Sequence, residues 1–300
     1  AGLVVLWPDD GGRQAPPETA AGPAPLPSDP LLVRLDTAAG WPNPCHADIA
    51  LVARPAAGGA AEPTTLSPGS GCDTHPQWSP DRTRVAFTRK KFGPSETWVM
   101  NADGGDRRLI SDHTTGNARV SWAPDGRQVV YQGDDGDFYN VTIGESTPRR
   151  LTTSGSRKSD PAWSPAGRHL AFWLGGEGRE QIQLLDLRNP AGPWIRLTSA
   201  RYGAKDPEWS PDGRRIAFTR GTADGSSDIW VMNADGSGQR LLGRPTEDRE
   251  IDPTWSRDGQ WIAYSRGPWE DPRTWAIRAD GTGDQEITRG SRPEGHPAWS

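Results

Sequence analysis

Residues 206–242 read DPEWSPDGRRIAFTRGTADGSSDIWVMNADGSGQRLL, and the turn signals in this stretch set the architecture. Pro211-Asp212-Gly213 is a tight-turn sequence, with proline fixing φ and glycine accepting positive φ. It separates a short first strand, Pro207 to Ser210, from a second, Arg215 to Thr219, in which Ile216 and Phe218 share one face. Asp228 to Met232 reads as a third strand, and Ala234-Asp235-Gly236 turns the chain into a fourth ending at Leu241-Leu242. Four antiparallel strands per period make one propeller blade.

The same skeleton recurs on both sides of this unit. It returns as PQWSPDRTRVAFTR (76–89) with TWVMNADGGDRRLI (97–110), and as SWAPDGRQVVY (121–131). Further copies are PAWSPAGRHLAF (161–172), and PTWSRDGQWIAYSR (253–266) with TWAIRADGTGDQEIT (274–288). Aligned on Trp-Ser or its equivalent, Trp78, Trp122, Trp163, Trp209, Trp255 and Trp299 fall into register with gaps of 44, 41, 46, 46 and 44 residues. That period suits propeller blades and several solenoids, and the absence of a 3.6-residue apolar stripe selects strands.

These residues resemble the TolB-like (PD40-type) propeller repeat, with its Trp-Ser-Pro-Asp-Gly and Met-Asn-Ala-Asp-Gly turns, over roughly residues 31–300. The Gly-His and Trp-Asp marks of WD40 repeats are absent. Complete blades start at Pro76, near Arg119, and at Pro161, Pro207 and Pro253. What remains lies at the two chain ends. His296 to Ser300 supplies a first strand; Leu31 to Asp36, Asp48 to Arg54 and Thr64 to Ser67 supply the second, third and fourth. The expected fold is therefore an all-β, six-bladed propeller whose last blade is closed by one C-terminal and three N-terminal strands, which removes exposed edges.

Residues 1–30 read as a separate segment, and 31–300 as the propeller domain. Ala1 to Trp7 is apolar but far short of the roughly twenty residues that cross a bilayer, so it is read as the remnant of a signal peptide or membrane helix. Asp9 to Pro30 has almost no large apolar side chains and is expected to be a disordered Pro-Ala-rich linker. A net charge of −5 argues against a nucleic-acid partner. No Gly-X-Ser-X-Gly elbow, P-loop, dinucleotide fingerprint, zinc-spaced cysteine pair or HExxH occurs. Cys45 and Cys72 fall on the same face of adjacent blades, so an exported protein is expected to oxidise them.

Most motif residues have structural readings. Asp103, Asp125, Asp212, Asp235, Asp258 and Asp280 sit in turns, where the carboxylate accepts local backbone N–H groups. The register tryptophans read as packing between blades. Asp134-Asp135-Gly136-Asp137 lacks the ligand set of a calcium loop and reads as a solvated turn.

The candidate site is a ring of residues three positions before each register tryptophan: His75, Arg119, Asp160, Asp206, Asp252 and His296. Either these side chains cap the strands through nearby backbone, or they converge on a divalent metal or cationic ligand, with His75 and His296 as the imidazole donors. Trp41, Phe92 and Trp269 fall in loops between second and third strands of neighbouring blades, either as an aromatic patch for a protein or folded back onto their own blades.

The resemblance implies a periplasmic protein that binds an envelope lipoprotein and peptide epitopes through its propeller. TolB-like proteins of that system carry an α/β domain before the ring, which thirty linker residues do not supply. The expectation is a non-enzymatic, membrane-tethered, monomeric extracytoplasmic scaffold that binds a protein or peptide without a cofactor. The alternative is a metal-dependent enzyme or small-ligand binder using the His/Asp ring, since some propeller lyases acting on acidic sugars place a histidine-bound metal in the channel.

Overall fold

The computed structural model describes residues 25–38, 45–53, 62–69, 71–115, 119–288 and 290–299. Its strands form six antiparallel sheets of four. Blade one is Asp73–Trp78, Arg84–Arg89, Ser95–Asn101 and Arg108–Thr114; blade two is Ser121–Trp122, Gln128–Gln132, Phe138–Thr142 and Arg149–Arg150. Blade three is Lys158–Trp163, His169–Leu174, Gln181–Asp186 and Ile195–Arg196; blade four is Ala204–Trp209, Arg215–Gly221, Ser227–Asn233 and Arg240–Leu241. Blade five is Glu250–Trp255, Trp261–Arg266, Arg273–Arg278 and Gln285–Glu286. In the closing blade, Glu294–Trp299 pairs with Leu31–Asp36, followed by Ala47–Val52 and Thr64–Thr65. The two ends of the chain thus share a sheet, as the repeat count requires.

The core lies between blades. One buried cluster joins blades three and four through Ile182, Leu184, Trp209, Ile216 and Phe218. Two clusters flank the closing blade: Leu31, Val33 and Leu35 pack with Trp261 of blade five, and Leu32 and Ile49 pack with Val85 and Phe87 of blade one. Burying apolar faces on both sides of each sheet makes the closed ring more stable than an open array.

The register tryptophans tie blades together. Trp122 Nε1 donates to Gln77 O, Trp209 Nε1 to Ala162 O, and Trp255 Nε1 to Glu208 O, each at 3.1 Å and each into the preceding blade. The turn acids accept backbone N–H groups two residues on, from Arg214 to Asp212 at 3.0 Å and from Ser237 to Asp235 at 2.9 Å. Asp103, Asp125, Asp258 and Asp280 do the same at 2.8–3.0 Å.

Two expectations change. The segment reads as propeller from Pro25, because Leu26 packs on the blade-five core, Trp261 Nε1 donates to Pro25 O at 3.0 Å and Asp29 pairs with Arg82 at 2.8 Å. Asp137 is fully buried instead of solvated: Lys158 Nζ and Thr152 Oγ1 donate to it at 2.7 and 2.8 Å. Burial works against its ionisation, but Lys158 and Arg150 outweigh it and hold the carboxyl at about 2. Cys45 and Cys72 form a disulfide with Cα atoms 5.4 Å apart, clamping the closing blade to blade one beside the bridge between Ala47 and Cys72.

Candidate functional site at the channel and loop face

Five of the six ring positions, all but Arg119, owe their direction to a repeated break in the first strand of their blade. Register shifts lie between Thr74 and Gln77, Ser159 and Ala162, Lys205 and Glu208, and Ile251 and Thr254. In each, proline follows the ring residue and withholds an N–H from the ladder, so the strand bulges there and continues. His75, Asp160, Asp206, Asp252 and His296 all adopt positive φ, between 47° and 56°. Aspartate and histidine tolerate that region better than most side chains. Five of the strands therefore begin before their ring residues, at Ala204 rather than Pro207 in blade four, and hold them inside instead of being capped by them, whereas Arg119 precedes Ser121–Trp122.

The bulges turn several of these side chains towards one another. The His75 and His296 rings lie 3.9 Å apart between centroids, tilted by 59°. His296 Nδ1 is 2.9 Å from Asp252 Oδ2. Arg119 Nη1 donates to Glu208 Oε2 at 3.0 Å, and Arg119 Nη2 lies 3.4 Å from Asp252 Oδ1. Asp160 accepts the Arg119 backbone N–H at 3.0 Å and the Trp173 indole N–H at 2.5 Å. Asp206 is half-buried, and the other five ring residues are buried.

Electrostatics follow from that burial. Desolvation drives the His75 imidazole well below its usual range, and the nearby His296 adds to it. Desolvation also lowers His296, against the pull of Asp252. Burial pushes Asp252 up, but the imidazole of His296 and the Arg119 guanidinium outweigh it and keep the carboxyl ionised. Asp160 is pushed up to about 7 by burial and by Asp206. The outcome is a largely buried polar plug in which one arginine serves as counter-cation to Asp252 and Glu208.

Glu208 was missed by reading only the column three residues before the tryptophan. The column immediately before it holds Gln77, Ser121, Ala162, Glu208, Thr254 and Ala298, and its single acid is the Arg119 partner. Buried Arg34 also lies near the plug, paired with Asp36 at 2.8 Å.

A cleft of about 1260 Å³ opens on the loop face of blades three, four and five, lined by Glu180, Tyr202, Asp224, Glu247, Arg249 and Trp269 among others. Trp269 is 46% exposed, and the Arg249 guanidinium lies 3.3 Å from its ring centroid. Phe92, fully exposed, belongs to blade one and is outside the cleft lining. Trp41 lies outside the described residues.

Comparison with known proteins fits this geometry. The TolB beta propeller domain model (PD40) matches residues 62–205 and 160–300. An uncharacterised protein of Agrobacterium fabrum is 29% identical over 136 residues, 44% of this chain and 45% of that protein. A TolB homologue of Chlorobium luteolum is 32% identical over 116 residues, 37% of this chain and 26% of that protein. The chain thus spans less than half the length of these curated relatives. The crystal structure of TolB from Acinetobacter baumannii superposes with a TM-score of 0.74 at 19% identity, over 91% of this chain and 66% of that one, which is a likeness of fold. With a family match running almost continuously from residue 62 to residue 300, the chain belongs to the TolB β-propeller (PD40) family.

Proposed function

We propose that this protein is an extracytoplasmic, non-enzymatic scaffold that binds a protein or peptide of the cell envelope on its loop face. The observation that carries this reading is the 1260 Å³ cleft, built from the loops of three blades. A concave surface with an exposed tryptophan suits a macromolecular ligand. The Cys45–Cys72 disulfide fits an oxidising compartment, and the apolar start at Ala1 to Trp7 fits a tether to the membrane. Similarity to TolB proteins supports the same setting, and the ring is proposed to act as a monomer.

The metal-dependent reading has one observation in its favour: His75, Asp252 and His296 each offer a donor atom, all within 4.8 Å of one another. Imidazole and carboxylate suit a divalent ion. The surroundings do not fit it, because the Arg119 guanidinium already lies 3.4 Å from Asp252 and Arg34 adds a second buried positive charge.

Capture from the native envelope fraction tests the proposal. Wild-type protein is expected to retain a partner that Trp269→Ala loses at least tenfold, about 1.4 kcal/mol of binding. Equal capture by both proteins removes the cleft from the reading. Stoichiometric divalent metal in purified protein, absent from a His75→Ala and His296→Ala double variant, would replace the scaffold with the metal site.

A further inference from the structure

The cleft contains a positive charge, Arg249, that pairs with no carboxylate among the described residues. Arg34, Arg89, Arg119 and Arg266 each face a carboxylate, at 2.8, 2.7, 3.0 and 2.6 Å. Arg249 is half-buried against Trp269, its Nε is shut from solvent with no acceptor among the described residues, and Asp252 and Glu270 act on it only through space. Burial lowers this guanidinium to about 10, as expected for a desolvated cation lacking a contact partner. Stacking on the indole fixes the plane of its donor fork, the arrangement that suits a carboxylate.

The surroundings narrow the class of anion. Glu177, Asp224, Glu247 and Asp248 are exposed around the cleft, so a polyanion such as a phosphorylated or nucleic-acid ligand would be repelled. Beneath Arg249 and Trp269 the space narrows to a pocket of about 10 Å³ bounded by Arg34, Ser265 and His296. One carboxylate at the end of a chain, with positive charge behind it, satisfies both constraints.

We propose that the cleft receives the carboxyl terminus of a basic peptide, with Arg249 binding the terminal carboxylate and the acidic rim facing lysine or arginine side chains in the preceding residues. This rests on the loop-face reading and adds the ligand chemistry to it.

Calorimetry on the full chain tests it with the peptide Ala-Lys-Ala-Lys-Ala, as free acid and as C-terminal amide. The free acid is expected to bind about tenfold or more tighter than the amide. Arg249→Gln is expected to abolish the difference while leaving the unfolding midpoint unchanged, and Arg249→Lys to keep part of it. Equal affinity of acid and amide for the wild type overturns the carboxylate assignment and leaves loop-face peptide binding standing. An amidated Ala-Lys-Ala-Lys-Asp that matches the free acid overturns the chain-terminus assignment. Absence of binding by either form at about 1 mM overturns the whole inference, while envelope capture by the same protein, sensitive to Trp269→Ala, decides the broader reading separately.

Discussion

Arg119 Nη1 donates to Glu208 Oε2 at 3.0 Å, a contact that crosses the ring from blade two to blade four. The same guanidinium approaches Asp252 of blade five, so a single side chain neutralises acids from two other blades. Burial makes this arrangement sensitive, because a charge deprived of its partner in a desolvated site cannot be compensated by water.

Arg119→Met keeps much of the side-chain volume and leaves Glu208 and Asp252 without their cation. Urea unfolding is expected to show a loss of about 3–5 kcal/mol. Adding Glu208→Gln is expected to recover part of that loss. A single-variant cost below about 1 kcal/mol would show that the plug does not depend on Arg119.

The ring also sets a pH dependence. Because the folded pKa of His75 lies well below that of a free imidazole, the unfolded chain takes up the proton first. Stability is full above about 6.5 and is lost as pH falls towards the folded value, by up to about 1.4 kcal/mol per unit. His296 contributes in the same direction. Asp160 acts oppositely: raised to about 7, it stabilises at acid pH, and that contribution is lost as pH rises from about 4 to about 7. His75→Asn keeps a residue that tolerates positive φ and should flatten the fall in thermal midpoint between about pH 7 and pH 5. An unaltered slope would remove His75 from the groups that resist protonation.

Ring closure can be tested by dividing the closing blade. A chain ending at residue 289 lacks Glu294–Trp299 and exposes the edge of Leu31–Asp36. It is expected to unfold at a lower denaturant concentration and to self-associate. A synthetic peptide of residues 290–300 should restore the midpoint in a saturable way. Failure of the peptide to bind, with the truncated chain as stable as the full one, would contradict closure by this strand.

Reduction of Cys45–Cys72 opens a loop of 27 residues and is expected to cost about 3 kcal/mol in the chain-entropy picture. Denaturant titration with and without reductant measures it. Free thiols found by alkylation of non-reduced protein would contradict the pairing.

Much of this molecule was legible because its signals are local and repeated. Asp212 followed by glycine at a fixed distance from Trp209 specifies a turn in any blade, and the count of such units specifies the ring. Five of the ring residues were legible by the same offset, since Asp-Pro and His-Pro mark where the ladder breaks, and Arg119 by the offset alone. The bulge itself was not, because proline before a strand and proline within a bulged strand look alike until the partner strand is present.

Sequence alone determined the number of blades and the pairing of the chain ends, because each depends on short-range turn chemistry and apolar alternation. Tertiary structure decided which charges meet. Arg119 and Glu208 are 89 residues apart and come together only when the ring closes. The cleft around Arg249 exists only because loops from three blades stand side by side. Coulombic partnership and desolvation depend on distance in space, and no spacing along the chain encodes them.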